Sequence, residues 1–178
     1  MKLRLLPIGI SLLVSLAVLF GGWFLYDSYA METPLNEVVK ETPGVQNATV
    51  DITKDKVTIH FTPSSDANLR DIYASITSRG ASVIGTRTVT LDPASTTSSE
   101  LDRWWGQAMF DVAQAMESKQ YGAIPKRLEA LKAQYSGLSV DTEMDEVNVY
   151  VTLHDGEGKS KFIILPRQPQ KIGVWPNE

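Results

Sequence analysis

The sequence predicts an α+β protein, in which an N-terminal membrane-spanning helix is followed by two small helix-on-sheet units, α-β-β-α-β and then α-α-β-β-β. Three observations predict it. The run LLPIGISLLVSLAVLFGGWFLY, residues 5–26, holds no charged residue. The stretches VDITKDKVTIHF (50–61) and VDTEMDEVNVYV (140–151) each alternate as two short strands over a charged turn. Helical apolar stripes accompany each hairpin and stop at Gly, the residue that ends helices most readily.

The expected organisation is a cytoplasmic tip and anchor at 1–26, a first module at 27–91, a linker at 92–99, a second module at 100–168 and a tail at 169–178. With 178 residues and 43% apolar content the chain can bury a core. A helix over residues 5–26, rising about 1.5 Å per residue, is about 33 Å long, enough for a hydrocarbon core of about 30 Å. Lys2 and Arg4 precede the run and Asp27 follows it, so the charge bias places the N-terminus in the cytoplasm and residues 27–178 outside. Trp23, Phe24 and Tyr26 suit an interfacial belt. The alternative is secretion after cleavage at Ala30, since Ser28 and Ala30 are small and precede Met31. The apolar run exceeds the ~7–15 residues of a signal-peptide core, which favours a retained anchor.

Helix one is expected from Thr33 as N-cap and Pro34, with Leu35, Val38 and Val39 on one face and Pro43-Gly44 as its stop. Val45 to Thr53 and Lys56 to Phe61 are the first hairpin: Val57, Ile59 and Phe61 share one face, Lys56, Thr58 and His60 the other. Pro63-Ser64-Ser65-Asp66 should open a second helix carrying Leu69, Ile72, Tyr73 and Ile76, with Gly80 at its C-terminal stop. Ala81 to Leu91 completes the module as a strand that is polar on one side, a candidate sheet edge.

PGVQNATV, DKVTIHF and ANLRDIYASITSRGASV, within residues 35–91, resemble the ferredoxin-like heavy-metal-associated domains, and the α-β-β-α-β order is similar to the ring-building motifs of sporulation and secretion-system membrane proteins. The first resemblance implies a ferredoxin-like fold and a Cys-x-x-Cys before the first helix. This chain has no Cys, so that metal site is not carried over. The second implies packing against neighbouring copies and transfers no catalytic residue.

In the second module Leu101, Trp104, Trp105, Ala108, Met109, Val112, Ala113 and Met116 form a helical stripe, with Thr97 and Glu100 spaced as a capping box. Both tryptophans fit the stripe and are expected in the core. Pro125 opens another helix with Ile124, Leu128, Leu131 and Tyr135 on its face and Gly137 after it. Leu138 to Met144 and Val147 to His154 form the second hairpin, with Asn148, Tyr150, Thr152 and His154 facing away from Val147, Val149, Val151 and Leu153, and Lys161 to Leu165 returns as a third strand.

No chemistry assembles from these residues. His60 and His154 are the chain's two imidazoles, both expected on outward strand faces, and neither lies in a Gly-x-Ser-x-Gly or His-Glu-x-x-His context. Asp141, Glu143 and Asp145, or the run His154-Asp155-Gly156-Glu157-Gly158, could offer oxygen ligands, but neither has a calcium-loop spacing. No cysteine means no disulfide, lipid-modified cysteine or thiol chemistry. Without Lys2 and Arg4 the chain carries 15 Lys and Arg against 21 Asp and Glu, a balance of −6, which argues against nucleic acid or anionic lipid as main partner. Asn47-Ala48-Thr49 spells a glycosylation sequon. The expected function is a single-pass, membrane-anchored extracytoplasmic interaction or assembly module that is not an enzyme, with no catalytic, cofactor or metal residues. The alternative is an anchored or secreted domain sensing a small ligand or a metal.

Overall fold

The computed structural model describes residues 5–27, 33–133, 135 and 137–167, without the side chains of 5–9 and 23–27. Trp23, Phe24, Tyr26, the Ser28 to Ala30 cleavage candidate and the 169–178 tail therefore lie outside the described side chains. Helix α1 (Leu5–Asp27) forms over the apolar run. Among the described residues, no helix is long and apolar enough to cross a membrane. Beyond α1 the chain is mixed α+β and divides into two compact units, Met1–Ala67 with Ile72–Asp92 and Asn68–Asp71 with Pro93–Glu178.

The first unit contains α2 (Thr33–Lys40), β1 (Val45–Ile52), β2 (Lys56–Pro63), α3 (Leu69–Arg79), the helical turn α4 (Ala81–Ile84) and β3 (Thr88–Pro93), with strands ordered β1-β2-β3. The hairpin register pairs Val50 with Ile59 and Ile52 with Val57, and slips between Gln46 and Thr49. Thr88 N–H donates to the Asp55 carbonyl at 3.0 Å, and Asp92 lies beside His60 at 2.7 Å. Both strands advance in the same direction between those contacts, so β3 runs parallel to β2. Leu35, Val39, Val57, Ile59, Phe61, Ile72, Ile76 and Ile84 are buried, and each such side chain contributes about 1.5–3 kcal/mol.

Two local expectations are corrected, and a third holds in place but not in conformation. Asn68, whose Oδ1 accepts from Asp71 N–H at 2.9 Å, opens α3 in place of Pro63 to Asp66. A short polar side chain immediately before the first helical residue accepts from an orphan amide three residues on, which the proline run does not. The strand expected from Ala81 begins only at Thr88, because α4 intervenes and buries Ile84. α3 ends at Arg79, so Gly80 follows it as the expected stop, but with φ −88 it makes no left-handed turn and it also caps α4. Its value is space: a Cβ there would sit 2.6 Å from Leu35 Cδ1 and 3.0 Å from Ile84 Cδ1, so α2 and α4 close over it.

The second unit contains α5 (Ser99–Glu117), a 3-10 turn (Tyr121–Ala123), α6 (Ile124–Lys132) and the antiparallel meander β4 (Ser139–Met144), β5 (Asn148–His154) and β6 (Ser160–Pro166). Leu101, Trp104, Trp105, Ala108, Val112, Ile124, Leu128, Val149, Val151 and Leu153 form its core, so the tryptophans are core residues. Ser98, not Thr97, caps α5: its hydroxyl accepts from Leu101 N–H at 3.3 Å. Thr97 instead donates to Asp102 at 2.8 Å. Every residue of β5 from Asn148 to Leu153 is buried, so the face expected to be outward is covered as well.

Candidate functional site

In the first unit the helices cover one side of the sheet, and Thr49 and Asp51 of β1, Thr58, His60 and Thr62 of β2 and Thr90 and Asp92 of β3 occupy the other by strand alternation. At its centre His60 Nε2 lies 3.3 Å from Asp51 Oδ2 and His60 Nδ1 lies 2.7 Å from Asp92 Oδ2. One residue from each strand thus meets at one imidazole. A protonated ring donates from both nitrogens and links both edge strands to the central one. His60 is 43% exposed and the carboxylates 73% and 63%, so water screens the cluster and its net contribution is small. His60 is outward, as expected, while its two carboxylate partners were not foreseen: Asp51 and Asp92 come from strands whose register the sequence does not print.

The two edges of this sheet differ. Asn47 in β1 has φ 47 beside the register slip, a bulge that twists and disrupts that edge. β3 is regular from Thr88 to Asp92 and blunted only by Pro93. Because Thr88 N–H points to β2, the alternation of a strand turns the Val89 N–H and C=O away from it.

In the second unit a half-buried polar network forms at the β4–β5 turn. Asp145 Oδ1 accepts from Val147 and Asn148 N–H at 2.7 and 2.6 Å, and its Oδ2 accepts from the Tyr150 hydroxyl at 2.6 Å. Asn148 donates to that hydroxyl at 3.2 Å, Arg167 donates to the Asp145 carbonyl, and the Arg167 guanidinium stacks 4.7 Å above the Tyr121 ring. Partial burial pushes the Asp145 carboxyl up, but the Tyr150 hydroxyl, the Asn148 and Val147 N–H groups and Arg167 together hold it below the ordinary carboxylate value. Asp145 therefore closes the hairpin turn. It does not converge with Asp141 and Glu143 as a cation site.

Asp155 behaves likewise. Its Oδ1 accepts from Glu157 and Lys159 N–H at 3.0 and 2.8 Å, which organises the loop around its own carboxylate and leaves the His154 to Gly158 run without an open ligand set. His154 Nδ1 is 2.8 Å from Ser160 Oγ, and the imidazole meets the Phe162 ring edge-on at 6.2 Å. A serine beside a histidine needs a third group to orient the base, and here the imidazole's neighbouring ring is apolar. Beside α5, Ser98, Leu101, Trp104, Tyr135, Leu138 and Asp155 line a cavity of about 340 Å³. The sequon residue Asn47 is exposed on β1.

Residues 35–81 match the heavy-metal-associated domain family model. The match covers α2, β1, β2 and α3, consistent with a ferredoxin-like module, and ends before β3. No curated protein and no solved structure matches the chain. The donor chemistry of that family does not fit here. The resemblance implies a Cys-x-x-Cys before the first helix, and the chain contains no cysteine. Among the described residues, no group of three or more His, Cys, Asp or Glu side chains could hold a metal ion. At the Asp51–His60–Asp92 cluster the reason is geometric: the carboxylates address opposite ring nitrogens, so the three groups do not point at a common centre.

Proposed function

We propose that this chain is a single-pass, membrane-anchored extracytoplasmic protein whose first unit associates with further copies of itself through the outer side of β3. The observation that carries the reading is the edge. A complete ferredoxin-like unit is β-α-β-β-α-β with four strands, whereas this unit is α-β-β-α-β with three, ending in a regular β3 whose alternate backbone groups face outward. Such an edge accepts a strand from another chain, and its partner β1 is disabled by the bulge at Asn47. The order it shares with ring-building motifs supports a second copy as the occupant.

Anchoring is supported by the uncharged apolar run under α1 and by Leu12, Leu13, Val18, Leu19 and Phe20, all more than half exposed. Confinement to a membrane raises the local concentration, so an edge contact too weak to see in dilute solution still populates assemblies. The reading assigns the protein no turnover: His60 has both ring nitrogens against carboxylates, and His154 has no carboxylate among its bonded neighbours.

Cell fractionation tests the anchor. The parent chain should sediment with membranes, and Leu16→Arg should weaken insertion by about 2.5–3.5 kcal/mol, shifting chain to the soluble fraction. A soluble mature chain beginning at Met31 would reverse the reading. A small-ligand or metal sensor is the second reading, favoured by the heavy-metal-associated match and by the cavity beside Trp104. A ligand-dependent rise in melting temperature on screening amines, sugars and divalent cations would favour it.

A further inference from the structure

The cavity beside α5 in the second unit meets a polar group that has nothing to bond. Trp104 lines it and is 1% exposed, and its buried indole Nε1–H has no hydrogen-bond partner among the described residues. Buried indole N–H groups nearly always find an acceptor. The core cluster to which Trp104 belongs is apolar throughout, so an acceptor has to come from the cavity side. The walls supply the opposite chemistry: Glu100, Asp155 and Glu157 line the same space, and among the described residues no Lys or Arg does. Asp155 is held by the Ser98 hydroxyl and two loop amides. The Glu100 and Glu157 side chains are exposed and carry no hydrogen bond or ion pair among the described residues. Tyr135 adds a second aromatic ring, and carboxylates beside aromatic rings favour an organic cation. The volume, about 340 Å³, lies at the small end of the range of about 300–1,000 Å³ typical of small-molecule sites.

We propose that this cavity binds a small hydroxylated amine of the amino-sugar type, its ammonium group taken by Glu100 and Glu157 and one of its oxygens accepting from Trp104 Nε1–H. Each simpler ligand leaves part of the site unmet. An anion is repelled by three carboxylates. A neutral sugar satisfies the indole N–H but brings no charge to the two free glutamates. A bare metal ion cannot accept a hydrogen bond, and among the described residues no group of acidic or imidazole side chains could hold one. A hydroxylated amine meets both demands at once. The inference sharpens the sensing reading of the second unit and is independent of the assembly through β3.

The test is a titration of the full-length protein with glucosamine at mildly acid pH, where its amine is charged. It should move the Trp104 indole nitrogen–proton resonance saturably, the peak being assigned by its loss in Trp104→Phe. Glucose, the uncharged counterpart, should bind several-fold more weakly. Glu100→Gln with Glu157→Gln changes exposed side chains outside the core, and should weaken glucosamine several-fold at an unchanged melting temperature. A Trp104 resonance that glucosamine does not move overturns the proposal, because the N–H then meets only water. Equal binding of glucose and glucosamine overturns it in favour of a neutral sugar, and a calcium titration that reproduces the shift and displaces the amine overturns it in favour of a metal ion. A glucosamine-dependent rise in melting temperature that survives the double substitution, with the Trp104 resonance unmoved, would keep the sensing reading and remove this site.

Discussion

The two hairpins are built on one pattern, and the structure uses them in opposite ways. In each unit a glycine with φ 86, Gly44 or Gly137, leads into a strand that carries a Val-Asp pair and turns over an acidic residue into the next. In the first unit the polar side of the sheet stays open, and its charged cluster, Asp51, His60 and Asp92, is screened by water. In the second unit the polar side of β5 is buried, and Asn148 and Tyr150, both away from solvent, are bonded to each other and to the half-buried Asp145. The difference teaches that alternation fixes which side chains share a face, while the neighbouring strand decides whether that face is wet. β2 is flanked by β3, with Thr88, Thr90 and Asp92 outward; β5 is flanked by β6, where Phe162 pairs with Thr152 and Ile164 with Tyr150.

The largest effect should come from the second unit's core. Trp104→Ala removes a side chain that is 1% exposed and should destabilise by about 3–5 kcal/mol, read as loss of hydrogen-exchange protection in β5. A loss under about 1 kcal/mol would mean that the helix stripe and sheet do not share a core.

The buried network comes next. Asp145→Ala leaves the Tyr150 hydroxyl and two turn amides without their acceptor, an expected cost of about 1–3 kcal/mol in denaturant melts. The same carboxyl has a pH signature. Its folded value is depressed, so its contribution is complete above the unfolded value of about 3.9 and fades as pH falls through the lower folded value. Asp145→Asn should flatten that acid limb of the stability profile. An acid limb unchanged in the variant would remove Asp145 from the account.

The open cluster should matter least. His60→Gln is expected to change stability by no more than about 0.5 kcal/mol, because both ion pairs are exposed. A change as large as that of Asp145→Ala would erase the contrast between the wet and the dry face.

Much of this was legible in the sequence. The apolar stripe from Leu101 to Met116 and the alternation of Val57, Ile59 and Phe61 report burial directly, since one face of each must leave water. What was missed depends on partners distant in the chain. Gly80 reads as a helix stop, but its role is set by Leu35 and Ile84 closing over it. The second face of β5 could have been anticipated from β6, whose unbroken Phe162-Ile163-Ile164-Leu165 signals burial on both sides. The Asp51–His60–Asp92 cluster could not, because it needs the register of three strands at once.

The claim that β3 is an assembly edge meets its most direct test in a proline at Val89, whose N–H faces away from β2. Crosslinking the full-length chain in its own membrane should give dimers and larger species, and Val89→Pro should reduce them strongly while leaving the melting temperature close to that of the parent. Thr88→Pro should instead lower the melting temperature, because that N–H is bonded inside the sheet. A parent chain that crosslinks only as a monomer, or a Val89→Pro chain that assembles as well as the parent, would contradict the account.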